Sequence, residues 1–151
     1  MCKFNIIKTK PDGSCFFHCL EIALGLKEGL RHRIAEKMLS VPEYRKHYEI
    51  VNSKRSVDYE VFEPISEILN VNILVLINEN DKNILYPFET YYSKEFMKRM
   101  NERKTVIMKF CSFGHFDLVT LRHANNITEL CFPFNHPFVR ELISTKPGYS
   151  L

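Results

Sequence analysis

The apolar positions of this chain follow two rhythms in turn. Up to about residue 70 they recur at helical spacing, and beyond it they gather in short β-branched runs. Residues 3–8 carry Phe4, Ile6 and Ile7 and predict a short edge strand. Phe16, Phe17, Leu20, Ala23 and Leu24 form one apolar face of a helix over 14–26. Gly25 and Gly29 punctuate the pattern, and 29–40 predicts a second helix with Leu30, Ile34 and Leu39 toward the core. Pro42 opens a charged helical stretch over 43–50, followed by a polar loop at 52–56. The helical pattern of 58–70 is interrupted by Pro64, which a helix interior does not tolerate. A helix starting at Pro64, apolar at Ile65, Ile68 and Leu69, is therefore expected. The run 72–78 predicts a buried strand, 78–83 a charged turn, and 84–88 its hairpin partner. A helix over 91–103 and strands over 105–111 and 115–121 follow, then a tail from residue 123 with one helical turn at 138–143. The fold class is α+β: N-terminal helices packed on a small, mostly antiparallel sheet.

Composition narrows the class. A chain of 151 residues is long enough for one domain with a substantial core. With 45% hydrophobic and 26% charged residues it is not a disordered segment, and a net charge of +3 is too small to argue for nucleic acid. No apolar run approaches a membrane span, and the N-terminus has no signal-peptide pattern. Five cysteines, at 2, 15, 19, 111 and 131, are an odd number without framework spacing. That suits free thiols in a reducing compartment, the cytoplasm. No internal repeat or low-complexity segment is present.

Two stretches carry chemistry. In Asp12-Gly13-Ser14-Cys15-Phe16-Phe17 the Asp-Gly pair makes a turn, Ser14 is placed to cap the helix, and Cys15 falls at its first position. Unpaired N–H groups and the helix dipole converge there. Both favour a thiolate, and the N–H groups of Asp12, Gly13, Ser14 and Cys15 are placed to hold an oxyanion. The alternative is an ordinary small buried cysteine. In Cys111-Ser112-Phe113-Gly114-His115-Phe116-Asp117 a Gly turn leads into a strand, so that His115 and Asp117 share a face. A cysteine, a histidine and a carboxylate that orients it are the parts of a thiol hydrolase.

Together these stretches resemble the ovarian-tumour (OTU) family of cysteine deubiquitinases. Residues 12–17 are similar to its D-G-N-C-L-F signature, and 114–119 to its second signature of a histidine, an aromatic and Asn or Asp. The passage 67–76 is similar to the helix-to-strand passage between them, so the resemblance spans about 5–121, with 122–151 as a C-terminal tail of one OTU-like catalytic domain. Ser14 stands where the family has Asn, and 57–62 has no counterpart of its Trp-Gly. The resemblance implies a papain-type fold and an isopeptidase with no metal or organic cofactor. Cys15 would be its nucleophile, His115 its base and Asp117 the orienting carboxylate, with Asp12 shaping the loop or serving as the third catalytic member. Ubiquitin or polyubiquitin, and an interferon-induced ubiquitin-like modifier, are the implied partners of a monomer that binds neither nucleic acid nor membrane. Gly114 is a candidate wall of a slot for the two terminal glycines of ubiquitin, or a plain turn glycine. Tyr86, Phe88 and Tyr91, with Tyr92, are candidates for an apolar docking rim, or core. A near-minimal domain that starts just before its motif has the form of a compact viral effector in a host cytoplasm, or of a trimmed domain.

Competing chemistry remains on the page. His18 lies three residues past Cys15 on the same helix face and could be the base, although no carboxylate is expected to orient it. Cys111, His115, Cys131 and His136 could form a zinc set, with irregular spacing. A phosphatase loop fails, because Glu21 and Gly25 stand six residues after Cys15 and Cys19, where an arginine is needed. Cys19 reads as core, and Cys2 and Cys131 as incidental. The rival functions are a ubiquitin-binding module with a silent site and another thiol acyl hydrolase.

Overall fold

The run Ile73, Leu74, Val75 is buried on both sides, so the sheet that holds it must be covered on both faces. The structure is a computed structural model that describes residues 3–77, 82–89 and 91–144. In chain order its elements are β1 (Lys3–Ile7), α1 (Cys15–Leu24), α2 (Leu30–Leu39), α3 (Tyr48–Val51), α4 (Phe62–Leu69), β2 (Asn72–Ile77), β3 (Lys82–Tyr86), α5 (Lys94–Glu102), β4 (Lys104–Cys111), β5 (His115–Arg122), β6 (Thr128–Glu129), β7 (Phe132–Pro133) and α6 (Pro137–Ser144). The sheet runs β1-β5-β4-β2-β3, with β6 added to β5 and β7 to β4. Every pairing is antiparallel except that of β2 with β4. The architecture is thus α+β with a mostly antiparallel sheet, as expected. The parallel pair arises because α5 carries the chain back between β3 and β4.

The period of two sorts the strands between two cores. Ile73, Val75, Val106, Met108, Phe116 and Leu118 face α1 and α4. There Phe16 stacks on Phe62 with centroids 4.4 Å apart, and Phe116 meets both edge-on at 5.4 Å. Leu74, Ile107, Val119 and Leu121 face the other way, onto Phe96 and Met100 of α5 and onto Phe132, Phe134, Val139 and Ile143. The second layer adds to the expected picture of N-terminal helices on a sheet followed by a tail. Residues beyond 122 supply β6, β7, α6 and much of the second core.

Several boundaries move for local reasons. The helix expected over 14–26 is α1, which stops at Gly25, in the left-handed conformation that ends a helix (φ 64°). Helix α4 begins at Phe62, not at Pro64. In the first turn the proline lacks only an N–H that would have had no intrahelical partner. The stretch expected as a helix over 43–50 is a 3-10 turn, Pro42–His47, followed by the single turn of α3. Helix α5 starts three residues later than expected, where the Ser93 hydroxyl accepts the Phe96 N–H at 3.1 Å. Strand β3 ends before Pro87, which has no N–H for a ladder. The expected turn over 78–83 has residues 78–81 outside the described residues, as does Cys2.

Phe132→Ala tests whether the C-terminal residues belong to the core. Phe132 is fully buried, and its loss is expected to cost about 3–5 kcal/mol in urea unfolding. A disposable tail would show less than about 0.5 kcal/mol.

Candidate active site

The turn before α1 is shaped by what fits against it. Gly13 has φ +81°, and a Cβ on it would lie 2.0 Å from the Lys54 carbonyl oxygen, so a side chain is excluded twice over. Asp12 turns its carboxylate onto the Ser14 N–H at 3.0 Å, in an Asx turn. Ser14 occupies the N-cap position, but its hydroxyl caps nothing. It accepts from Arg31 at 3.0 Å instead, which corrects the expected capping role. The Ser14 N–H is therefore committed to Asp12, and the Asp12 N–H donates to the Lys10 carbonyl at 2.9 Å, which removes both from the expected set. Of the four N–H groups expected to face an oxyanion, those of Gly13 and Cys15 flank this committed peptide.

The second half of the site is the start of β5. Phe113 and Gly114 both adopt left-handed backbone angles, φ 65° and 73°, and throw the chain round from β4 into His115. A left-handed phenylalanine is strained, and this one stands 99% exposed. His115 Nε2 lies 2.8 Å from Asp117 Oδ1. That oxygen also accepts the Thr9 N–H at 3.1 Å, while Oδ2 accepts the Cys111 thiol at 3.6 Å. With Nε2–H donating to the carboxylate, the lone pair falls on Nδ1, which is buried and without a hydrogen-bond partner.

Helix and strand meet at sulfur. Cys15 Sγ accepts the Phe116 N–H at 3.3 Å and points its own hydrogen at the Gly114 carbonyl, 3.7 Å away. The side chain is only 2% exposed. Burial raises the thiol pKa, and the opposing backbone hydrogen bonds, from Phe116 first, do not offset it. The shift runs against the direction that the helix N-terminus favours. Cys19, one turn on, donates to the Phe116 carbonyl at 3.6 Å and is held neutral by burial.

Other candidates are sorted by geometry. His18 does have carboxylates, contrary to expectation: Glu21 Oε1 at 3.0 Å from Nδ1 and Asp12 Oδ2 at 3.1 Å from Nε2. Burial lowers its pKa, but the hydrogen bonds to Glu21 and Asp12 outweigh this and raise it overall. An imidazole with both nitrogens donating to carboxylates has no lone pair for a thiol proton. Asp12 is bonded to His18 and Ser14, and Asp117 rather than Asp12 meets His115. The zinc alternative is not assembled: Cys111 and His115 both turn to Asp117, while His136 pairs with Glu129 at 3.3 Å. Among the described residues no group of three or more His, Cys, Asp or Glu could hold a metal ion.

Gly114 packs against the loop after α3, where a Cβ would lie 3.2 Å from Ser56 Cβ. Of the expected rim, Phe88 and Tyr91 are exposed, whereas Tyr86 is 7% exposed and edge-on to Phe62 at 5.4 Å. Tyr86 is therefore core, because the alternation of β3 turns it inward. It lines a cavity of about 350 Å³ with Val57, Tyr59, Phe62, Phe110 and Phe116. The sequence reading missed Thr9, Arg31 and Phe113. Only Arg31 left a sequence signal, as a charge on the apolar stripe of Ile34, Ala35 and Met38.

A cysteine at a helix N-terminus thus lies beside a strand that bears a histidine held by a carboxylate. Solved structures specify the fold. An ovarian tumour (OTU) domain in complex with ubiquitin matches with a TM-score of 0.67 at 16% identity, over 93% of this chain and 81% of its own. An OTU deubiquitinase from Wolbachia pipientis wMel matches with 0.55 at 22% identity, over 77% and 87%. The Hazara virus OTU bound to ubiquitin matches with 0.51 at 12%, over 80% and 83%. The chain has the OTU fold. No family model matches the sequence, and neither does any curated protein. No helix among the described residues is long and apolar enough to cross a membrane.

The bracing of His18 makes a pH prediction. Its raised folded pKa contributes stability that is complete below the unfolded value of about 6.5 and is lost as pH rises through the folded pKa. His18→Gln is expected to lower the melting temperature most near pH 5.5, and progressively less above neutrality. A penalty independent of pH would show that the imidazolium bridge does not form.

Proposed function

We propose that this chain is a cysteine isopeptidase that removes ubiquitin from lysine side chains or from chains. The observation that carries the reading is the partnerless, buried Nδ1 of His115, its ring held by Asp117, at the strand end where Cys15 Sγ meets the Phe116 N–H. The OTU structures solved with ubiquitin supply the substrate.

In this reading the resting thiol gives its proton to His115 Nδ1 as Sγ attacks the carbonyl carbon of the ubiquitin C-terminal glycine. The carbonyl electron pair moves to oxygen, facing the N–H groups of Gly13 and Cys15. Asp117 steadies the imidazolium. The intermediate then collapses to a thioester, the lysine amine leaves with the proton from His115, and water completes the cycle. Phe88 and Tyr91 form an exposed apolar rim for the body of ubiquitin, and Gly114 with Ser56 narrows the entry to the thiol. The protein works as a monomer in a reducing cytoplasm, and an interferon-induced modifier is the second substrate to assay.

The burial of Cys15 favours a second reading, a ubiquitin-binding module with a silent thiol. Ubiquitin bearing a C-terminal electrophile separates the two: an enzyme is labelled at Cys15, and a silent module binds without forming a bond.

With a fluorogenic ubiquitin C-terminal amide, Cys15→Ala is expected to abolish turnover, and His115→Ala to lower kcat/KM by about 10³-fold or more. Asp117→Asn should cost about 10- to 100-fold, because the amide oxygen still accepts from the imidazole. His18→Gln should cost less than His115→Ala. The reverse ranking of the two histidines would move the base to α1.

A further inference from the structure

Arg31 takes no part in the proton transfers above, yet its surroundings point at the same turn. It lies on the buried stripe of α2 and is 5% exposed. A buried guanidinium is ordinarily matched by a carboxylate. Here its six hydrogen bonds all end on neutral oxygens. Four bind the end of α3 and the loop after it: the carbonyls of Val51 (2.6 Å), Ile50 (2.9 Å) and Arg55 (2.6 Å) and the Ser53 hydroxyl (3.4 Å). Two bind the turn before Cys15: the Gly13 carbonyl (2.9 Å) and the Ser14 hydroxyl (3.0 Å). The guanidinium also sits 4.8 Å from the centroid of the Phe17 ring.

The consequence lies in one peptide unit. Arg31 holds the carbonyl of the planar Gly13–Ser14 peptide, and Asp12 holds its N–H. With both ends gripped, the peptide cannot rotate, so the neighbouring N–H groups of Gly13 and Cys15 are fixed in direction. The absent Cβ of Gly13 lets the loop bearing Lys54 close against the turn from the same side. We propose that Arg31 is the positioning residue of the oxyanion site, tying the Cys15 turn to the 50–55 segment. The proposal rests on Cys15 as nucleophile and not on ubiquitin as substrate.

The test compares two reactions of the same sulfur in the full chain. In acylation by p-nitrophenyl acetate, sulfur adds to the carbonyl carbon, the electron pair moves to oxygen, and collapse expels nitrophenolate to leave an acetyl thioester. In alkylation by iodoacetamide, sulfur displaces iodide and no oxyanion forms. Mass mapping assigns both products to Cys15, with Cys15→Ala as background. Arg31→Gln is expected to slow acylation about 30- to 100-fold, with alkylation changed less than about threefold. Arg31→Lys should recover less than about tenfold of the loss, because one ammonium cannot span two loops as a planar fork does. Equal loss of both reactions, or loss of neither, overturns the proposal, as does a wild-type Cys15 that iodoacetamide reaches and the ester does not acylate. If Arg31→Gln does not fold by circular dichroism, the ratio measured on Arg31→Lys decides in the same way. A wild-type chain acylated by the ester but not labelled by a ubiquitin electrophile would remove the ubiquitin reading and leave the role of Arg31 standing.

Discussion

Everything at this site hangs on the backbone of Phe116. Its N–H donates to Cys15 Sγ, and its carbonyl accepts from Thr9 Oγ1 at 2.7 Å and from Cys19 Sγ. One residue of β5 is thereby tied to the turn after β1 and to two successive turns of α1, about a hundred positions away in the chain. Its side chain is locked from beneath by Phe16, Phe62 and Phe110. Apolar packing supplies the adhesion, and the backbone hydrogen bonds set the register. His115 and Asp117, on either side of Phe116, point to the opposite face of the strand and inherit their position from that anchoring.

The same anchoring sets the electrostatics of Cys15. A helix N-terminus and an N–H donor both favour a thiolate, each by an amount of order 1 kcal/mol. Removing an anion from water costs more, and at 2% exposure that cost prevails. Burial thus pushes the Cys15 thiol up against both. Asp117 holds the His115 ring, and it is itself fixed by Thr9 and Cys111.

Two clamps of opposite charge hold the turn before Cys15. Asp12, locked by His18 and through it to Glu21, takes the Ser14 N–H, and Arg31 takes the Gly13 carbonyl. Glu21 extends the network by accepting the Leu30 N–H at 3.1 Å, which ties the start of α2 to α1. Buried and half-buried charges of this kind are costly for stability. Their placement around a single turn concentrates rigidity just before Cys15.

What the sequence by itself determined was local. The period of the apolar residues marked α1, α2, β2, β4 and β5. Asp-Gly before a cysteine marked the turn, and the spacing of His115 and Asp117 put them on one face, because these depend on bonds and dihedrals within a few residues. Tertiary structure decided whatever depends on which surfaces meet. It turned Tyr86 inward and made the C-terminal residues part of a second core, because a sheet buried on both faces needs a second layer that no single segment announces. It gave His18 two carboxylates, one of them across the turn, which occupy both ring nitrogens. It enclosed the Cys15 thiol and reversed the shift that its helix position favours. It also brought Arg31 to the Gly13 carbonyl, because a long side chain on a buried stripe takes its partners from whichever loops the fold folds over it.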